Sequence, residues 1–303
     1  MSPDPLRLQR ADLPAVCRSA ADLSARGQRR TKRLVRVELL AVILAGVAGL
    51  WSLRVGPARL DVLAAVAGLL FAVSLGSVLL RGYLRPEQEW YAGRAGAESI
   101  RTLAWRYAVG GDPFPVDGST AHAATFLDRL RAILGQLTEL ELAATGPEER
   151  ELTPALEQVR AAGFAQRRAV YRRDRVENQI GWYLARADRH DRRANLWWSA
   201  SVLSSAAGLV VAGLRVFGVV NLDLLGVAGA CASAAVAWNQ LNQNRALVAA
   251  YRLTARELNI IRDRVDHVDE PDWPLFVSDA EDAVSREHTM WLARHGHPGI
   301  RTR

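Results

Sequence analysis

Four stretches of this chain are apolar on every helical face. Residues 37–53, 62–80, 196–214 and 222–238 show neither a helical stripe nor period-2 alternation. At about 1.5 Å of rise per residue they reach about 26 to 28 Å, close to a hydrocarbon core of about 30 Å. A surface helix would need a polar face, so each run is either a core helix or a membrane span. They come in two pairs. Arg54 to Asp61 separates the first pair and Arg215 to Asn221 the second, so the pattern predicts two helical hairpins.

Between the hairpins the chain is polar and reads helical. An N-terminal helix is expected over 6–36, and another over 87–109 that stops at Gly110-Gly111-Asp112-Pro113. The 3-4 spacing over 126–142 predicts an amphipathic helix. Residues 144–153 form the expected linker, after which Thr153 suits an N-cap and Pro154 a first helical position. One helix is expected to run from 154 to 193 and on into the third apolar run. Further helices are expected over 239–268 and 278–295. The predicted fold class is all-α: an integral membrane protein with four transmembrane helices in two hairpins plus long cytoplasmic helices. Its units are 1–143 and 154–303.

Charge decides between core and membrane. The 303 residues carry 39 Lys and Arg against 32 Asp and Glu, a net +7, and the mean hydropathy of −0.02 averages over the segregation. Arg26, Arg29, Arg30, Lys32, Arg33 and Arg36 precede the first run, and Arg186, Arg189, Arg192 and Arg193 the third. Arg81 and Arg85 follow the second run, and Arg245, Arg252 and Arg256 the fourth. Only Arg54, Arg59 and Arg215 lie in the hairpin loops. The asymmetry predicts a multi-pass membrane protein with both termini and the central segment cytoplasmic. It also accounts for the basic pI near 10.1 without nucleic acid. Small residues at four-residue spacing (Ser201/Ser205, Gly208/Ala212, Gly226/Ala230) allow close helix approach, within one chain or in a homo-oligomer.

Signals for catalysis are sparse. There is no phosphate-binding loop, no dinucleotide fingerprint and no nucleophile elbow. His288, His295 and His297 lack carboxylate or Cys partners at ligand spacing. The two cysteines, Cys17 and Cys231, suggest no disulfide framework. No enzyme activity, cofactor or metal is therefore expected. The polar cluster closing the fourth run is more suggestive. By helical spacing Asn239, Asn242 and Gln243 share a face, with Gln240 beside them. Repeated around an oligomer, that face would make a polar ring at a pore mouth. Glu38, one turn inside the first run, is the other candidate gate residue, unless it pairs with Lys32 or Arg36.

Two spans followed by Glu89-Trp90-Tyr91-x-x-Arg94-x-x-Ala97-Glu98-Ser99 and then Trp105-Arg106-Tyr107 resemble the SLATT family of two-span effector domains. The second half resembles another SLATT subtype, with Trp182-Tyr183 before its hairpin and Phe276, Glu281, Glu287 and Trp291 at its end. The resemblance implies an all-helical membrane effector, pore-forming, of bacterial conflict or cell-suicide systems, with a nucleotide signal or a protein partner as trigger. A membrane-anchored scaffold that recruits a cytoplasmic partner without conducting is the alternative.

Overall fold

In the computed structural model, residues 6–57, 59–137, 142, 146, 149–220 and 224–294 are described, with side chains through 285. Nearly all of this is helix: α1 Ala15–Ala48, α2 Val62–Leu84, α3 Pro86–Val109, α4 Ala121–Gly135, α5 Pro154–Ala161 and α6 Phe164–Val170 in the first part of the chain. A π-helical stretch, Tyr171–Glu177, then leads into α7 Asn178–Val216. It is followed by α8 Leu224–Asn242, α9 Asn244–Val265 and α10 Trp273–Arg294. The described strands are a two-residue ribbon, Arg54–Val55 against Leu60–Asp61, that closes the first hairpin loop. Asp61 ends the ribbon and caps α2 by accepting from the N–H groups of Leu63 and Ala64.

Several helix ends follow local chemistry. Thr153 Oγ1 accepts from Leu156 N–H and Pro154 opens α5, as the cap pattern predicts. Gly110 takes φ +81 after Val109 and ends α3. Several boundaries differ from expectation, among them the start of α1 at Ala15 rather than residue 6. The single helix expected from 154 is interrupted at Ala162-Gly163, where the backbone is extended. α10 starts at Trp273, five residues early, because Pro274 sits in a first turn, where its missing N–H removes no bond. α4 ends at Gly135. Leu137 is buried just beyond it, and Leu140 and much of the linker lie outside the described residues.

The chain forms two compact units, each drawn from both halves of the sequence. One holds residues 1–28, 87–186 and 250–303, and the other 29–86 and 187–249. The first is the polar unit. Its core contains Trp105, Phe114, Phe126, Tyr171, Trp273 and Leu258, all almost fully buried. Helices α1 and α3 approach closely there. A Cβ on Gly93 would lie 2.9 Å from Ala20 O and Ser24 N, while Ser24 Oγ donates to Trp90 O and Cys17 Sγ contacts Ala97 O.

The second unit holds the apolar helices. Among the described residues, three helices contain a stretch long and apolar enough to cross a membrane: Val62–Leu84, Phe164–Val216 and Leu224–Val265. Almost none of their apolar windows is buried within the chain. Leu69, Phe71, Leu75 and Leu79 on α2 and Leu203, Leu209 and Val210 on α7 are largely exposed. These helices are therefore not the hydrophobic core of this chain. The remaining expected span, the first run at 37–53, is shorter than the sequence suggests. α1 ends at Ala48 and the chain turns at Gly49, so 37–48 supplies about 18 Å, and Arg36 and Glu38 crowd its polar end. Packing within the unit uses small residues. A Cβ on Gly208 would lie 3.3 Å from Ala228, and one on Gly46 3.8 Å from Val227, which brings α7 and α1 against α8.

Candidate functional site

The polar unit is organised around a buried ion pair. Arg175 lies in the π-helical stretch with 3% of its surface exposed, and Glu281 on α10 is fully buried. Arg175 donates from Nε to Glu281 Oε1 at 2.9 Å and from Nη2 to Oε2 at 2.6 Å, a bidentate fork. Its Nη2 also reaches Glu98 Oε1 at 3.3 Å, and Arg101 donates to the other oxygen of Glu98 at 2.6 Å. Tyr171 Oη completes the group by donating to Glu281 at 3.1 Å. Burial alone would lower the Arg175 pKa, but the Glu281 and Glu98 carboxylates outweigh it and hold the guanidinium charged. Burial and the same Glu281 carboxylate push the Tyr171 phenol well above its usual value, so it stays a donor.

Every charged side chain from 172 to 174 in the π-helical stretch is also held. Arg172 pairs with Asp266 and Glu177. Asp174 accepts from Leu8 N–H at 2.9 Å, and Arg173 donates to Leu6 O at 2.6 Å, which fastens the N-terminal segment. A π-helix is uncommon and often marks a functional position. Here it presents successive side chains to the N-terminal segment, α3, the stretch after α9 and α10.

The sequence-predicted residues of α3 converge on the same place. Glu98 belongs to the ion-pair group. Trp105 packs edge-on against Tyr171, centroids 6.0 Å apart. Arg106 donates to Ser278 O at 3.1 Å and to Asp282 at 2.6 Å. Tyr107 packs against Phe114 and Phe126 beneath the guanidinium of Arg160, which donates to the carbonyls of Tyr107, Phe114 and Pro115. Trp90 is buried, stacked on Tyr91 at 5.1 Å, and burial raises the Tyr91 pKa. Glu89 and Arg94 are half-buried on the same helix. Trp182 and Tyr183 form a separate aromatic group with Tyr251, and Arg186 stacks on Trp182.

In the apolar unit the amide cluster is bent. Gln243 takes φ +48 between α8 and α9, so Asn239 and Gln243 do not lie one turn apart on a continuous helix. Asn242 Nδ2 donates to Trp238 O at 2.8 Å, and Gln240 is exposed. Asn239 accepts from Asn244 Nδ2 at 2.9 Å, and Asn244 Oδ1 lies 2.7 Å from Nδ1 of the buried His190. Glu38 pairs with Arg81 of α2 at 3.4 Å.

Arg175 and His190 were not singled out by sequence patterns. One signal was present for their surroundings: Trp90 and Glu98 stand eight residues apart, as do Trp273 and Glu281. The side chain of His288, and His295 and His297 altogether, lie outside the described residues.

An all-helical chain with apolar helices long enough to span a bilayer, joined to a polar unit of buried motif residues, is the architecture expected of a membrane-associated helical protein. Comparison with family models identifies which. The SMODS and SLOG-associating 2TM effector domain 3 matches residues 14–168, and the SMODS and SLOG-associating 2TM effector domain 1 matches 171–291. The chain belongs to the SLATT family, with two different SLATT domains in tandem. No match was found among curated proteins or solved structures. The two matched stretches meet at the start of the π-helical segment, and each contributes to both compact units. The Arg175 fork therefore joins a carboxylate of the first domain to one of the second.

Proposed function

We propose that this chain is a multi-pass effector of a bacterial conflict system that opens a conducting path through the inner membrane as a homo-oligomer, without chemistry of its own. The supporting observation is the tandem of 2TM effector domains whose apolar helices leave their large side chains uncovered by the chain itself. In water such a surface would be a severe aggregation hazard, whereas in a bilayer it is the expected exterior. The loops carrying Arg54, Arg59 and Arg215 face outward and both termini face the cytoplasm. The polar unit holds the assembly closed, and a nucleotide signal or protein partner that binds the open form better shifts the balance. Full-length protein in ion-loaded liposomes is the test. Trigger-dependent flux supports the reading, and silence with every nucleotide or protein trigger tried overturns it.

One observation favours the non-conducting scaffold instead. Asn239, Asn242 and Asn244 make hydrogen bonds within the chain, so their amides are not idle lining groups. In a pore, Gln240→Ala and Asn242→Ala change conductance or ion selectivity. In a scaffold they leave activity intact, while substitutions at Trp90 or Trp105 abolish it.

A further inference from the structure

The whole formal surplus of charge resides in the apolar unit. Residues 29–86 and 187–249 contain fourteen Lys and Arg against five Asp and Glu, a formal +9, which leaves the polar unit at −2. Three of the fourteen, Arg54, Arg59 and Arg215, lie at the hairpin-turn ends of the apolar runs. The other eleven flank the opposite ends of the apolar runs, within or just beyond the helices that carry them.

Contacts within the unit bring those ends to one level. The Arg36 guanidinium lies 5.4 Å from the Trp238 ring centroid, and Trp238 packs edge-on against Trp197 at 6.1 Å. Glu38 and Arg81 join α1 to α2 beside them. Next to this layer, the His190–Asn244 hydrogen bond ties α7 to the start of α9, and Arg192, Arg193 and Arg245 flank that pair in sequence. Arg29, Arg33, Arg36, Arg192, Arg193 and Arg245 are exposed. In the polar unit the arginines Arg18, Arg101, Arg106, Arg167, Arg172, Arg173 and Arg175 each meet a carboxylate. Arg29, Arg33, Arg192, Arg193 and Arg245 meet none among the described residues.

We propose that this girdle binds the headgroups of anionic phospholipids, whose phosphodiesters supply the charge that the chain withholds. Guanidinium forks fit phosphate oxygens, and the girdle's tryptophans suit the interfacial level at which those oxygens lie. The proposal rests on the membrane reading above and names the lipid class that reading leaves open.

The test uses full-length protein in neutral detergent and the anisotropy of a fluorescent phosphatidylglycerol. Unlabelled phosphatidylglycerol should displace the probe at least about tenfold better than phosphatidylcholine, with displacement weakened by salt. Inorganic phosphate should displace it only at far higher concentration. R33Q/R36Q/R192Q/R193Q/R245Q should lose at least about tenfold in affinity. Lysine at the same five positions should retain more affinity than glutamine but less than arginine, and R54Q/R59Q/R215Q should bind as the unsubstituted chain does. Equal competition by phosphatidylcholine sinks the proposal without reference to any variant. Competition by inorganic phosphate at lipid concentrations makes the girdle a site for soluble anions and also overturns it. A folded five-fold glutamine variant that binds normally does the same. Carbonate-resistant retention in membranes separates the two readings. Retention without a phosphatidylglycerol preference overturns only the girdle, and loss of retention overturns the membrane reading beneath it.

Discussion

Arg175 has almost no contact with water, so its charge is tolerable only while its carboxylate partners stay in place. Removing one side of a buried, forked pair leaves the other uncompensated, at a cost of about 3–5 kcal/mol. Arg175→Met should therefore destabilise the polar unit by about that amount in denaturant unfolding of the detergent-solubilised chain. Arg175→Met combined with Glu281→Leu should recover much of the loss, because neither charge then remains buried alone. A double variant no more stable than the single one would show that the fork is not what the site depends on. Asp174 offers a pH readout. Burial raises its pKa, but the Arg173 guanidinium and the Leu8 N–H outweigh that and hold it below the ordinary carboxylate value. Its contribution is thus complete above about pH 4, the unfolded value, and is lost as pH falls through the lower folded value. Amide exchange at Leu8 should quicken in that acid window, and the change should vanish in Asp174→Asn.

At the scale of elements, the close crossing of α1 and α3 depends on a missing side chain. A methyl group on Gly93 would sit 2.9 Å from two backbone atoms of α1, which cannot yield as a flexible side chain can. Gly93→Ala should cost about 1–3 kcal/mol in unfolding experiments, and Gly68→Ala, whose Cβ meets nothing within 4 Å, should cost nothing measurable. Helices and turns were largely legible beforehand, since capping and φ preference act over a few residues: Thr153, Pro154 and Gly110 behave as their chemistry dictates. What was not legible was register. The π-helical stretch has ordinary helix-forming residues, and only partners distant in sequence select its wider turn. Gln243 likewise carries no marker of its positive φ, and that one angle rearranges the amide face expected at the pore mouth.

For the molecule as a whole, the largest consequence is the exposed apolar band. Full-length chain expressed in bacteria should remain with the membrane fraction after carbonate washing, and recovery in the soluble fraction would contradict the membrane reading. The sequence by itself determined the helical class, the location of the apolar runs and the ends of those runs at which arginine gathers. Composition and periodicity carry those properties residue by residue. It also contained the residues of the SLATT motifs, but not what they touch. Tertiary structure decided that Glu98, Arg175 and Glu281, up to 183 positions apart, form one buried group joining the two domains. It also decided that 37–53 continues as helix only to Ala48, and that Glu38 pairs with Arg81. Pairing across such separations depends on how faces meet in space, and no local pattern records that.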